Sequence, residues 1–196
     1  MASDLDQRVD GSSRGGKPRG SRWLVEWGLV LLVAFGLAVG LRTFVIQTYS
    51  IPSGSMIPTL QIGDRILVDK LSYHLHAVHR GDVVVFATPP KEIKVLMVND
   101  LVKRVIGLPG ETISSGPRGE VFINGKLIKQ SWLTANARND PGPPIRTQKI
   151  PAGEVFVMGD NRGSSDDSRF IGPVSESLIV GRAVLGFWPL SHIHLL

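Results

Sequence analysis

Cysteine is absent from the 196 residues. That excludes thiol catalysis, thiolate metal sites and a disulfide framework. A strong charge of one sign is absent as well. The net charge of +5 divides into +2 over residues 1–22 and +3 over residues 43–196, with Glu26 and Arg42 cancelling. No basic block stands out, so a nucleic-acid-binding face, which needs clustered cations, is not expected. Internal repeats are lacking, and so is any second apolar run of membrane length.

The one long apolar run that is present starts at Trp23 and reads WLVEWGLVLLVAFGLAVGLRTFVIQTY. Trp27 to Leu41 are 15 consecutive uncharged residues, and continuing past Arg42 to Ile46 makes 20. That is about the length needed to cross a bilayer. A buried core helix and a cleaved signal peptide compete with a retained anchor. The first needs apolar neighbours all round. The second is commonly shorter and is followed by a mature-domain start, which is not evident here. A transmembrane anchor over 23–46 is therefore expected, behind a polar, Gly/Ser-rich tail (1–22) expected to be disordered. Arg14, Lys17, Arg19 and Arg22 lie just before the run, which puts the N-terminus in the cytoplasm and residues 47–196 on the other side.

Residues 47–196 read as mostly β. RILVDKL (65–71), DVVVFAT (82–88), LVKRVIG (101–107), GEVFVMGDN (153–161) and GRAVLGFWPL (181–190) are strand candidates separated by turn signals. EVFINGKLIK (120–129) is a hairpin candidate around Asn124-Gly125. TANARNDPGPPIRTQ (134–148) reads as a long loop, and SESLIVG (175–181) as a short helix opened by a Ser cap. No βαβ alternation occurs.

Two prolines and a glycine in IPSGSMIPTL (51–60) rule out a regular helix, leaving a fixed, half-apolar loop with two serines. It is either a linker or a nucleophile loop. Serine needs a base. His74, His76, His79, His192 and His194 lie in no Gly-framed or acid-paired context and read as surface or interface residues. Lysine serves only if burial destabilises its ammonium. On LVKRVIG, strand alternation puts Leu101, Lys103 and Val105 on one face and Val102, Arg104 and Ile106 on the other. Lys103 is thus flanked by aliphatic groups, and it reads equally as a buried base or as an edge lysine. MGDNRGSSDDSRFIG (158–172) reads, on composition, as a salt-bridged turn.

Together, SGSMIPT, LVKRVIGLPGE and GDNRGSSDDSR follow one another behind a membrane run. IGDRILVDK (62–70) and GRAVLGFWP join them. This arrangement strongly resembles the bacterial type I signal peptidases, membrane serine proteases with a Ser–Lys dyad, over residues 24–190. The resemblance implies a signal-peptidase-like β-fold catalytic domain behind one transmembrane helix. It implies Ser55 as nucleophile and Lys103 as general base, with Ser53 in the oxyanion hole beside the Ser55 N–H. Ser165 would hydrogen-bond and orient the lysine. Asp160, Arg162, Asp167 and Arg169 would form a supporting acid-and-base framework. Ile51, Pro52, Met56, Leu60, Leu101 and Val102 would line shallow apolar pockets for small side chains before the cut. No cofactor or metal is implied. The partners would be signal-peptide-bearing preproteins and the lipid bilayer, and the enzyme is expected to be monomeric. A Lys at the base position, where the reticulum relatives carry His, favours a bacterial plasma membrane or thylakoid-type membrane. A non-catalytic binding module on the same fold is the alternative, and the intact dyad speaks against it.

Overall fold

The computed structural model describes residues 20–93 and 98–196. The expected tail falls mostly outside these residues. The chain divides into two units, residues 1–39 and 40–196. Helix α1 spans Gly20–Phe44. It ends two residues before the expected boundary, and Ile46 already belongs to a strand. Its Trp23–Gly40 segment is long and apolar enough to cross a membrane. The side chains from Trp23 to Val39 are exposed, unlike those of a core helix.

The second unit is β-rich, as the alternating short runs imply. Its main sheet holds β1 (Ile46–Ser50), β2 (Arg65–Asp69), β3 (Val83–Ala87), β4 (Asp100–Gly107), β9 (Glu154–Met158), β10 (Val174–Ser175) and β11 (Ile179–Trp188). The order is β1-β2-β11-β3-β4-β9-β10, and β12 (His194–Leu195) adds to β11. All these pairings are antiparallel. A smaller antiparallel sheet has the order β7-β6-β5-β8. It is built from β5 (Thr112–Ser115), β6 (Val121–Ile123), β7 (Lys126–Leu127) and β8 (Gln148–Lys149). Short helices α2 (Ser72–Leu75), α3 (Ala135–Asn139) and α4 (Ser168–Ile171) punctuate the loops.

The run VVVF in β3 is apolar on both faces because both faces are buried. Val83 and Val85 pack with Ile51, Met56, Leu60, Ile66 and Val68, while Val84 and Phe86 pack with Val105, Val155 and Val157. β9 divides in the same way. Val155 and Val157 join that second cluster, whereas Phe156 and Met158 join Ile106 of β4 and Ile113, Val121 and Ile123 of the small sheet. The small sheet is therefore fastened to the main one through the far face of β4 and β9.

The hairpin between β6 and β7 turns at Asn124 (φ 51°) and Gly125 (φ 76°), the left-handed pair of a two-residue turn. The loop expected over 134–148 contains α3, capped by Thr134, whose hydroxyl accepts from the Ala137 N–H. The expected helix at 175–181 is one 3-10 turn, Glu176–Leu178, with Ser175 as its cap. β1, β5, β8, β10 and β12 had no counterpart among the strand candidates.

Gly125 has open space where a Cβ would stand, so a substitution there meets only the backbone penalty. Gly125→Ala is expected to lower unfolding stability by about 1–2 kcal/mol, and Gly125→Asn by less. The denaturation midpoints of the two variants check this.

Candidate active site

The loop after β1 returns on itself. The Ile51 N–H donates to the Asp64 carbonyl (2.9 Å), and the Gly63 N–H donates to the Ile51 carbonyl (2.8 Å). Between these anchors Ile51, Met56 and Leu60 turn into the core. Their burial fixes the loop. From across the sheet, the Asn161 Nδ2 donates to the Gly54 carbonyl (3.0 Å), and the Asn161 N–H donates to the Ser55 carbonyl (3.0 Å). Ser55 is thus presented on a turn clamped on both sides.

Lys103 lies opposite Val84 in the β3–β4 register. Leu101 and Val105, two residues to either side, both pack in the cluster that holds Val84, as the alternation predicted. Lys103 is 2% exposed, and its Nζ lies 2.7 Å from the Ser55 Oγ. Burial pulls its pKa from the ordinary lysine value down to about 8, against the opposing pull of Asp167 and Asp166. The Ser53 hydroxyl is exposed and donates to the Ser55 Oγ at 3.5 Å.

These groups face a cleft of about 680 Å³. Of the expected pocket residues, Ile51, Pro52, Met56, Leu101 and Val102 line it. Leu60 does not. It is completely buried beneath the loop with Ile66 and Val68, so its part is packing. Tyr49, Val98, Asp100, Asp166 and Phe170 also line the cleft, and sequence reasoning missed them.

Ser165 lies on the cleft wall, but the expected bond to Lys103 is not formed. Its Oγ is buried without a hydrogen-bond partner among the described residues. It sits against Gly159, where an added Cβ would come within 2.3 Å of that Oγ and 2.4 Å of the Ser55 carbonyl oxygen. The missing side chain of Gly159 is what lets the two serine segments approach.

The resemblance left the pairing within the acid-and-base framework open, and the structure sets it. Asp160 lies fully buried. Its partner is Arg104, with Nη2 at 2.7 Å and Nε at 2.9 Å, and the Thr59 hydroxyl donates to the same carboxylate at 2.6 Å. Trp132 lies against the Arg104 guanidinium, 5.0 Å from ring centre to Cζ. Arg169 and Asp167 form a two-pronged pair at 2.8 Å each, and Asp167 also accepts from the Gly159 N–H (3.0 Å). Arg162 donates from Nε to the Gly159 carbonyl (2.9 Å). Arg104 was legible as an oddity, since a guanidinium in an apolar strand needs a buried counter-charge. Which carboxylate supplies it was not legible.

A hydroxyl against a buried, destabilised amine, on the wall of a long cleft, is the equipment of a Ser–Lys hydrolase. Comparison with known proteins narrows the class. The family described as signal peptidase, peptidase S26, matches residues 24–188. A probable signal peptidase I-2 of Synechocystis sp. is 39% identical over 186 residues, covering 94% of this chain and 82% of that one. A signal peptidase I of Leptolyngbya laminosa is 39% identical over 199 residues, covering 98% and 96%. A crystal structure of a signal peptidase I from Enterococcus faecalis V583 is 30% identical, with a TM-score of 0.46, covering 55% of this chain and 97% of that one. The chain belongs to the peptidase S26 family of signal peptidases. Its activity is that of a serine endopeptidase removing signal peptides from preproteins.

Removing Arg104 would strand the fully buried Asp160 carboxylate. Arg104→Met is expected to lower stability by about 3–5 kcal/mol. The double variant Arg104→Met/Asp160→Leu is expected to lose less than the two single losses combined, as chemical denaturation would show.

Proposed function

We propose that Ser55 is the nucleophile and Lys103 the general base of this peptidase. The observation that carries the reading is the 2.7 Å approach of the buried Lys103 Nζ to the Ser55 Oγ. The neutral amine takes the hydroxyl proton as Oγ attacks the carbonyl carbon after a small residue. The oxyanion is met by the Ser55 N–H and the Ser53 hydroxyl. The Lys103 ammonium returns the proton to the leaving amine, and the mature protein departs. The signal peptide stays on Ser55 as an acyl ester. Lys103 then deprotonates a water, which attacks the ester and frees Ser55. Ser165, on the same cleft wall with its Oγ unpartnered among the described residues, is assigned the part of orienting the lysine.

The substrate reading is supported by the edge of β4. β3 pairs with β4 from Asp100 onward, but β9 joins it only from Arg104. The Asp100–Val102 segment is thus left with one strand neighbour, and an extended peptide laid there would add a strand. Its alternate side chains would meet Ile51, Pro52, Met56, Leu101 and Val102. Asp160, Asp167, Arg162 and Arg169 hold the loops that carry Ser165 and Gly159. In the arrangement we propose, α1 anchors the enzyme in the membrane as a monomer with its N-terminus cytoplasmic, and residues 47–196 act on the other side. The support for this is the apolar Trp23–Gly40 segment and the four cations before it.

Cleavage of a labelled preprotein by the detergent-solubilised chain tests the dyad. Ser55→Ala and Lys103→Ala are each expected to reduce kcat/KM by at least about 10³-fold while leaving the chain folded. Processing that survives either change would overturn the assignment. A base that must be neutral also dictates a pH profile. With Lys103 titrating at about 8, kcat/KM is expected to rise about tenfold per pH unit below that value and to level off above it.

A further inference from the structure

Tyr49, Asp100 and the run Gly163 to Asp166 all line the cleft beside Ser55. With residues before the cut set against Ile51, Pro52, Leu101 and Val102, the wall from Gly163 to Asp166 is left for the residues after it. This direction rests on the Ser55–Lys103 reading.

Arg162, the residue before Gly163, lines a second cavity of about 370 Å³ beneath the small sheet. Its side chain is 3% exposed. Its bonds go to neutral acceptors, the Gly159 carbonyl from Nε and the Gln130 Oε1 from Nη2. Among the described residues no carboxylate forms an ion pair with it, whereas Asp160 and Asp167 are taken by Arg104 and Arg169. Burial lowers its pKa to about 10, against the pull of Asp160. Such a cation lacks the charge partner that burial normally demands. Arg118, Lys129 and Arg138 also line the cavity. The one carboxylate in the wall, Glu120, is paired with Arg118 at 3.0 Å. Leu127, Ile128 and Leu133 supply an apolar side.

We propose that this cavity is an anion site for the substrate beyond the cut, taking the carboxylate of an Asp or Glu a few residues into the mature part of the preprotein. The reach is short. Adjacent residues of one loop line the two cavities, Gly163 the cleft and Arg162 the second. Three or four extended residues, at about 3.3 Å each, cover such a path. Charge complementarity selects the occupant: three cations beyond the Arg118–Glu120 pair face the cavity, and Arg162 among them is dry.

The test uses the full chain in zwitterionic detergent and two preprotein-derived peptides. They are identical through the cut and differ only in carrying Glu or Gln at the third to fifth positions after it. The wild type is expected to cut the Glu peptide with a kcat/KM about fivefold to tenfold higher, mainly through KM. In Lys129→Gln/Arg138→Gln that ratio is expected to fall towards one. Both residues are exposed, and a ratio is not moved by a general loss of activity. Equal cutting by the wild type, or a ratio that survives in the variant, overturns the proposal. A variant that differs from the wild type only when anionic phospholipid is added also overturns it, pointing to a lipid headgroup. Ser55→Ala run alongside separates the two readings: if it is inactive and the wild-type ratio is one, the anion site fails and the dyad stands.

Discussion

A primary amine withdrawn from water resists protonation, and Lys103 on β4 is held in that condition by the sheet around it. The free energy involved is substantial. A lysine that titrates at about 8 in the folded chain and about 10.4 in the unfolded one binds fewer protons when folded between those values. The penalty, roughly 3 kcal/mol, is fully present below pH 8 and is relieved as the pH climbs towards 10.4. At neutral pH the fold therefore carries a strained cation at its centre. The rest of the structure must hold Ser55 against it without hydrating it.

Two adjacent residues of β4 show how this is managed. Lys103 and Arg104 point to opposite faces of one strand, and both are buried. Arg104 is given a carboxylate at hydrogen-bonding distance, a hydroxyl behind that carboxylate and an aromatic ring beside it. Among the described residues Lys103 has only the Ser55 hydroxyl at hydrogen-bonding distance, with Asp166 and Asp167 acting through space. A fully paired cation stays charged and serves as structure. A cation deprived of a partner becomes a base near neutral pH. Asp167, held by Arg169, also takes the Gly159 N–H, so the loop bearing Ser165 is tied to the same framework.

Legibility in the sequence followed the range of the interaction. Asn124-Gly125 named its hairpin, the Ser175 cap named its turn and VVVF named its strand, because each depends on neighbours within a few residues. β1 was absorbed into the apolar run before it. β5, β8, β10 and β12 were too short, at four, two, two and two residues, to show a period. Leu60 was placed among the pocket residues by the family resemblance, yet the turn directs it into the core. The partner of Asp160 was not legible, because Arg104 lies 56 residues away.

The sequence by itself determined the family, through three motifs in order behind an apolar segment. It also singled out Lys103 as a cation on an aliphatic face, because strand alternation is a local rule. Only the tertiary structure decided that Ser55 and Lys103, 48 residues apart, meet at 2.7 Å. It alone decided which arginine neutralises Asp160 and that Arg162, at the wall of a cavity, has no carboxylate partner among the described residues. Sheet register and the packing of loops on the sheet set those distances, and neither is written in any short stretch of chain.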